Sequence, residues 1–200
     1  MFIVFEWVDW CGKDTQINKV FEYLREKNKN IQIWLTKEPT ANTTSWKMIL
    51  QKLKSWGFSS SKEALELYVK DREEQSEIRR EILKHSTILS SRFDYTTYAY
   101  QTTDWVTFED VKNAHNYENI LIPDITFLFD ITPENIEARL KKRWWDKEFF
   151  ENIDFLTNAR NKYLEVMERF KNERKIYIID ANKSIDEVFL QVKEILDLYY

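Results

Sequence analysis

The chain has 200 residues and a formal net charge of −4, which suits one domain with a packed core. A hydrophobic content of 43% and a charged content of 32% are typical of globular proteins and exclude an intrinsically disordered one. The acidic balance argues against a nucleic-acid surface, no apolar run approaches the roughly 20 residues of a membrane span, and one cysteine excludes an internal disulfide. We expect a cytoplasmic protein that binds neither nucleic acid nor membranes.

Hydrophobic patterning predicts five strands that alternate with helices. The strands are expected at residues 2–6, 31–36, 86–91, 125–131 and 175–180, and the helices at about 13–27, 45–55, 62–84, 94–103, 107–118, 134–143, 152–172 and 184–198. This alternation is typical of βαβ units, in which a parallel sheet carries helices on both faces. No repeat or linker divides the chain, so residues 1–200 are expected to form one α/β domain.

A candidate phosphate-binding loop follows the first strand. Gly12 and Lys13 open a predicted helix directly after a strand and a turn, which is the context that such loops require. Backbone N–H groups at a helix N-terminus bind phosphate oxygens, and the lysine adds a mobile positive charge. The strict G-x-x-x-x-G-K-[ST] pattern fails twice, because Trp7 stands at the first glycine and Asp14 at the Ser/Thr.

Residues 5–16 resemble the loop of the thymidylate kinases, F-E-G-x-D-G-x-G-K-[ST]-T-Q. Further segments resemble that family's motifs in the same order along nearly the whole chain: 36–40 (TKEPT), Tyr68 with Asp71-Arg72, 91–93 (SRF) with 99–101 (AYQ), 123–126 (PDIT), and Arg139, Arg143, Asp146-Lys147 and 149–151 (FFE). Such an ordered set is far more specific than any one of its members. The resemblance implies a three-layer fold of the P-loop NTPase type, with a lid at about 139–151.

The resemblance also implies an activity, namely transfer of the ATP γ-phosphate to dTMP with Mg²⁺, which yields dTDP and ADP in dTTP synthesis. It further implies a homodimer. By the same resemblance, ATP would be bound by Trp7, Val8, Asp9, Trp10, Cys11, Gly12, Lys13, Asp14 and Thr15. The acceptor would be bound by Asp9, Lys37, Tyr68, Arg72, Arg92, Tyr100, Gln101 and Phe150, and the catalytic cations would be Lys13, Arg92, Arg139 and Arg143.

Several of these side chains also have simpler interpretations. Arg72 lies in a charged run that is typical of a solvated helix face. Arg139 and Arg143, spaced i,i+4, could be ordinary surface charge on a helix that also carries Glu137. Tyr68 and Tyr100 could be core or rim aromatics. The two histidines, His85 and His115, are expected at the surface or at helix ends and receive no role.

Besides Trp7 and Trp10, three residues in the matched motifs depart from the family pattern. Asp14 replaces the hydroxyl that would ligate Mg²⁺, although a carboxylate is itself a good ligand for a hard cation. Ser91 replaces the aspartate of a D-R-Y motif, which puts part of the magnesium-water network in doubt. Lys37 replaces an arginine and keeps the charge without the bidentate fork.

Three other functions remain open at this stage. The least favoured is a purely structural or interaction protein, because the ordered set of cationic residues would have no role in it. A related kinase could act on another nucleoside monophosphate, and acceptor profiling would separate the two. A nucleotide-binding protein without catalysis is favoured by Trp7, Trp10, Asp14 and Ser91. It would bind ATP and dTMP without forming ADP.

Glycine is scarce in this chain and tryptophan is abundant. There are 2 glycines and 8 tryptophans, whereas glycine averages about 7% of residues. Six of the tryptophans fall where the family commonly has glycine: Trp7, Trp10, Trp46, Trp105, Trp144 and, with the weakest match, Trp145. Glycine permits positive φ angles and close approach to phosphate, so Trp7 and Trp10 are expected to impair the nucleotide site.

We hypothesise that the gene comes from a lineage that reads UGA as glycine, and that UGA has been translated here as tryptophan. The nucleotide sequence is the measurement. UGA is expected at codons 7, 10 and 105, and UGG there would contradict the hypothesis.

Overall fold

The computed structural model describes residues 1–8, 11–55, 57–103, 105–141 and 153–200. Over these ranges the strands are Phe2–Glu6 (β1), Ile33–Lys37 (β2), Thr87–Ser91 (β3), Ile125–Asp130 (β4) and Ile176–Asp180 (β5). The helices are Lys13–Lys27 (α1), Thr44–Lys54 (α2), Ser61–Leu83 (α3), Asp94–Gln101 (α4), Phe108–Ala114 (α5), Pro133–Lys141 (α6), Ile153–Phe170 (α7) and Ile185–Leu196 (α8).

All five strands form one parallel sheet in the order β2-β3-β1-β4-β5. The central strand β1 pairs with β3 from Phe2↔Ile88 to Phe5↔Ser91, and with β4 on its other side. The chain therefore goes to one side of β1 for β2 and β3 and to the other side for β4 and β5. In open α/β sheets, the crevice at the carboxyl end of such a switch point is where ligands bind.

The core forms where the apolar strands meet the helices. Every residue of β1 is buried, as expected for a strand covered on both faces. Helix α1 packs beside α8, while α4 packs against both α3 and α7. The predicted fold class is confirmed, and the elements agree with the sequence within a few residues, except that helix 107–118 ends four residues early. A single domain over residues 1–200 stays a prediction.

Trp7, immediately after β1, lies inside this core. Its side chain is 0% exposed, and its ring centroid lies 5.1 Å from that of Tyr163 on α7. Its φ of 158° is close to ordinary extended backbone. Among the described residues the buried indole nitrogen Nε1 has no hydrogen-bond partner, and an unsatisfied buried donor costs about 1–3 kcal/mol. The indole therefore gains packing with Tyr163 and leaves one donor unsatisfied within that part of the chain.

The carboxylate of Glu6, the last residue of β1, joins the central strand to the helices beside it. It accepts hydrogen bonds from the backbone N–H of Phe93 at 2.8 Å and from the hydroxyl of Thr96 at 2.7 Å. The Tyr163 hydroxyl lies 2.8 Å from that of Thr96, so α7 enters the same network. Burial raises the pKa of Glu6 to about 7, because the charged form loses its hydration.

We expect Glu6→Gln to become relatively more stable than the parent as the pH rises. Folded Glu6 keeps its proton up to about pH 7 whereas the unfolded group loses it near 4.5, so the parent loses stability across that window. The variant's unfolding free energy, measured in urea, should gain roughly 2–3 kcal/mol on the parent between pH 5 and pH 8.5. Glu22→Gln, at an exposed position of α1, is the control and should show no such gain. If the unfolding free energies of Glu6→Gln and the parent changed with pH in parallel, the raised pKa of Glu6 would be contradicted.

Candidate active site

Two adjoining cavities open at the carboxyl edge of the sheet. The larger has a volume of 720 Å³ and is lined by the start of α1, the end of β2 and the end of β3. The smaller has a volume of 190 Å³ and lies among α3, α4 and the same strand ends. Both are lined by Glu38, Pro39 and Arg92, so a molecule occupying one cavity lies next to a molecule in the other.

The phosphate loop borders the larger cavity. Gly12 is the N-cap of α1 and has a φ of 95°, a left-handed conformation that strains any residue with a Cβ. Lys13 is 5% exposed and lines the larger cavity. The side chains of Val8 and Cys11 are buried in the core. The loop can therefore offer a ligand its backbone N–H groups and the Lys13 charge.

Asp14 and Ser91 also line the larger cavity, and they contact each other. The Ser91 hydroxyl donates a hydrogen bond of 3.1 Å to Oδ1 of Asp14. Across the described residues there is no cluster of three or more His, Cys, Asp or Glu side chains suited to a metal. The oxygens of this pair are nevertheless of the kind that Mg²⁺ prefers when phosphates supply its other ligands.

Arg92 stands at the junction of the two cavities in an uncommon conformation. Its φ of 69° is left-handed, and its N–H donates to the carbonyl of Phe5 at 2.9 Å. Its guanidinium lies 5.8 Å from the ring centroid of Tyr100. A non-glycine residue held in this region costs about 1–3 kcal/mol, and such residues cluster at functional sites.

The remaining described candidates take up complementary positions. Lys37, at the end of β2, is exposed and lines the larger cavity together with Trp46. Tyr68, Tyr100 and Gln101 line the smaller cavity. Each of these three side chains is partly buried, so it presents an accessible surface to that cavity.

Arg72 is buried in a dense hydrogen-bond network and is not a solvated helix-face charge. It is 2% exposed and donates through Nε and Nη2 to Oε2 of Glu38, at 2.9 and 2.6 Å. Nη2 also donates to the Phe93 carbonyl and the Thr97 hydroxyl. Glu38 in turn accepts a hydrogen bond from Arg79, which is 0% exposed. Buried charges paired in this way fix the position of the guanidinium.

His115 lies at a helix end, as the C-cap of α5, but it is buried and not at the surface. Its side chain is 3% exposed and stacks between Tyr98 and Tyr117, with centroids at 5.5 and 5.3 Å. Nδ1 lies 2.6 Å from the Val111 carbonyl, which cannot donate, so this nitrogen carries the proton. Nε2 is then an acceptor for Nη1 of Arg72 at 2.6 Å. The early end of α5 turns the ring inward, an effect that the helical pattern did not signal. The other histidine, at position 85, is exposed as predicted.

A second buried network, centred on Asp94, contacts the Arg72 network through the stacked rings of Tyr117 and His115. The Tyr117 hydroxyl donates to Asp94 at 2.9 Å, and Arg174 pairs with the same carboxylate at 2.5 Å. Burial opposes ionisation of Asp94, but the charges of Arg174 and Arg72 outweigh it and hold its pKa below the usual value. Arg79, Asp94 and His115 line neither cavity but hold the buried groups around Arg72 in place. Sequence patterns missed them, because only tertiary contacts bring them together.

The side chain of Arg139, on α6, donates hydrogen bonds to the backbone of the phosphate loop and of the segment after β5. Nη1 donates to the Cys11 carbonyl at 2.9 Å, and Nη2 donates to the Ala181 carbonyl after β5 at 2.6 Å. Arg139, expected from the sequence to belong to a lid, is thus hydrogen-bonded to the loop itself. The predicted site residues Asp9, Trp10, Arg143 and Phe150, and the lid beyond residue 141, lie outside the described residues.

The sheet order, the loop and the cavities together define a P-loop type of nucleotide-binding fold. The crystal structure of thymidylate kinase from Ehrlichia chaffeensis has the same fold, with a TM-score of 0.71 over 98% of both chains at 23% identity.

Sequence comparisons assign the chain to a family within this fold. A family model for thymidylate kinase matches residues 5–192. The thymidylate kinase of Thermosipho melanesiensis is 32% identical over 201 residues, which cover 98% of each chain. The probable thymidylate kinase of Methanocaldococcus jannaschii is 32% identical over 192 residues, covering 96% of this chain and 93% of the relative. This chain belongs to the thymidylate kinase family.

The buried histidine predicts a specific pH dependence of stability. Burial, and then the charge of Arg72, lower the pKa of His115 to about 3, whereas an unfolded histidine titrates near 6.5. The unfolded state therefore binds more protons between these values, and the parent loses stability as the pH falls through that window.

We expect His115→Phe, which keeps the ring stack, to cost about 1–3 kcal/mol at pH 7, because the Arg72 donor and the Val111 carbonyl lose their partner. Urea unfolding at pH 4.5 should find that deficit reduced or reversed, since the parent loses roughly 2–3 kcal/mol by then. The matched control is His85→Phe at the exposed histidine. A His115→Phe deficit that does not change with pH would show that His115 titrates normally in the folded protein.

Proposed function

We propose that this chain transfers the γ-phosphate of ATP to dTMP, giving dTDP and ADP. The observation that carries the proposal is the pair of adjoining cavities, one beside the phosphate loop and one beside Arg72, with Arg92 lining both. Phosphoryl transfer needs two bound phosphates close together and positive charge between them. Membership of the thymidylate kinase family supports the same donor and acceptor.

In this proposal the larger cavity holds the phosphates. Lys13 and the backbone N–H groups around Gly12 bind the β- and γ-phosphates of ATP, as the helix N-terminus favours. Lys37 and Arg92 bind the acceptor phosphate, and the strained backbone of Arg92 supports a role for that residue. Arg139, already tied to the loop, belongs with the catalytic cations. By resemblance alone, Arg143 contributes a further lid charge.

The smaller cavity receives the base of the acceptor in this proposal. Tyr68 stacks on the pyrimidine, and Tyr100 and Gln101 complete the pocket. His115 takes one of the two Nη1 hydrogens of Arg72, which leaves one donor for the pyrimidine O4. The roles of Asp9 at the acceptor hydroxyl and of Phe150 near the sugar stay proposals from the resemblance.

We further propose Mg²⁺ as the metal, a homodimer as the assembled form, and a cytoplasmic location. The oxygens of Asp14 and Ser91 suit Mg²⁺, which when bound neutralises the charge between the transferring phosphates. The single buried cysteine is compatible with a reducing compartment. In the described part of the chain, no helix is long and apolar enough to cross a membrane.

ADP release from ATP and Mg²⁺ with each of four acceptors tests the activity. We expect dTMP to be phosphorylated at least about 100-fold more efficiently than dCMP, because the 4-amino group of cytosine would face an Arg72 donor. dUMP, which keeps the O4 acceptor, and dGMP complete the panel. Similar rates with dCMP or dGMP would favour a broader nucleoside monophosphate kinase. Binding of ATP and dTMP without ADP release would favour a non-catalytic protein.

The same assay should include a six-glycine variant, with glycine at positions 7, 10, 46, 105, 144 and 145. We propose that tryptophan at these sites impairs the chain, and displacement of a reacting group by 1 Å can cost about 100-fold in rate. The six-glycine variant should therefore be faster than the parent by about that factor. Equal rates would contradict the impairment.

A single substitution, Trp7→Gly, distinguishes an authentic core tryptophan from a tryptophan that stands in place of a glycine. Removing a fully buried indole from a genuine core position costs about 3–5 kcal/mol. We expect Trp7→Gly to lose less than this in its free energy of unfolding, measured in urea, because it also removes Nε1, which has no partner among the described residues. We also expect it to react faster than the parent. Trp105→Gly, at a side chain that is 90% exposed, is the control. The full cost without any gain in rate would mark Trp7 as an authentic core residue.

A further inference from the structure

The contact between Asp14 and Ser91 joins the two elements that hold a metal in P-loop enzymes. Asp14 lies in the first turn of α1, directly after the loop lysine, and Ser91 is the last residue of β3. Because β3 runs parallel beside β1, the end of β3 meets the loop that follows β1. The Ser91 hydroxyl lies 3.1 Å from the Asp14 carboxylate, and both line the larger cavity.

The residue types at these two positions are the reverse of the general arrangement. In P-loop NTPases the residue after the lysine supplies a hydroxyl, and a carboxylate comes from a nearby strand end. In this chain the carboxylate follows Lys13 and the hydroxyl ends the neighbouring strand. Each departure looks damaging by itself. The structure brings Asp14 and Ser91 into direct contact. Taken together, the two positions therefore still supply one carboxylate and one hydroxyl at the same place.

We propose that Asp14 and Ser91 are a reciprocal exchange, in which the carboxylate and the hydroxyl of the metal-holding pair have traded positions. The proposal rests on the proposed kinase function and goes beyond it, because it assigns the metal-holding carboxylate of this chain to the phosphate loop. Asp14 would hold the Mg²⁺ of the nucleotide, directly or through water. Ser91 would orient the Asp14 carboxylate through its hydrogen bond and offer its oxygen lone pairs.

The charge that a Mg²⁺ site needs explains why a carboxylate at position 14 goes with a hydroxyl at position 91. One carboxylate beside the nucleotide phosphates attracts a divalent cation, and Mg²⁺ sites of this kind use one or two carboxylates. A hydroxyl at both positions would leave the pair with no charge to attract the metal. A carboxylate at both positions would place two negative charges about 3 Å apart beside the phosphates, where like charges repel. The exchange keeps the count at one.

A double-mutant cycle tests the exchange directly. The four proteins are the parent, Asp14→Ser, Ser91→Asp and the double variant Asp14→Ser/Ser91→Asp, each made in the chain as written and in the six-glycine variant. The first readout is Mn²⁺ binding in the presence of ADP, followed by electron paramagnetic resonance. The second is the rise in melting temperature with ADP and Mg²⁺ compared with ADP and EDTA.

We expect Asp14→Ser to weaken Mn²⁺ binding at least about tenfold. The double variant should return to within about threefold of the parent, because it restores one carboxylate and one hydroxyl. Ser91→Asp should keep Mn²⁺ but bind ADP more weakly than the parent in EDTA. The control is Asp186→Ser, which removes another exposed carboxylate from a helix first turn and should behave like the parent.

Two results would overturn the exchange. Unchanged Mn²⁺ binding by Asp14→Ser would show that this carboxylate holds no metal, and a double variant as weak as Asp14→Ser would show that the positions are not equivalent. A parent that binds Mn²⁺ and ADP as expected but releases no ADP with dTMP would refute only the kinase function. Failure of both backgrounds to bind Mn²⁺ with ADP would refute both proposals.

Discussion

The arrangement of the site depends on the complete burial of β1 between β3 and β4. Helices cover both faces of β1, and neighbouring strands pair with both of its edges. A ligand can therefore approach this strand only at its end, where the loops that follow it and its neighbours are exposed. The phosphate loop leaves that end, Ser91 and Arg92 follow from the strand on one side, and Glu6 anchors α4 beside them. The cationic and oxygen-bearing side chains therefore converge without a long loop to carry them.

Buried charges give the smaller cavity its shape. Glu38 accepts hydrogen bonds from Arg72 and Arg79, and His115 receives a further donor of Arg72, so one guanidinium is held from several directions. Such a network contributes little net stability, because desolvation offsets the attraction between the charges. Its effect is positional. Arg72 cannot swing away from the cavity without leaving a buried carboxylate and a buried imidazole without their partner.

The departures from the family pattern have different physical characters. Asp14 and Ser91 contact each other directly, and in the exchange proposed above each compensates for the other. Trp7 is compensated only in part, because its ring packs on Tyr163 while its indole nitrogen finds no hydrogen-bond partner in the described part of the chain. The proposed exchange preserves the chemistry of the pair, whereas Trp7 leaves a buried donor unpaired within the described residues, and these two outcomes point to different origins. The first is consistent with selection for function and the second with a change in decoding.

The sequence by itself determined the five strands, the helices between them and the phosphate loop, because burial periodicity and the Gly12-Lys13 step are local properties of the chain. It also supplied the ordered motifs behind the family assignment. Only the tertiary structure decided that Arg72 is buried on Glu38, that His115 faces inward, and that Asp14 meets Ser91. Those contacts join residues 34, 43 and 77 positions apart, and no local pattern encodes which distant partner satisfies a buried polar group.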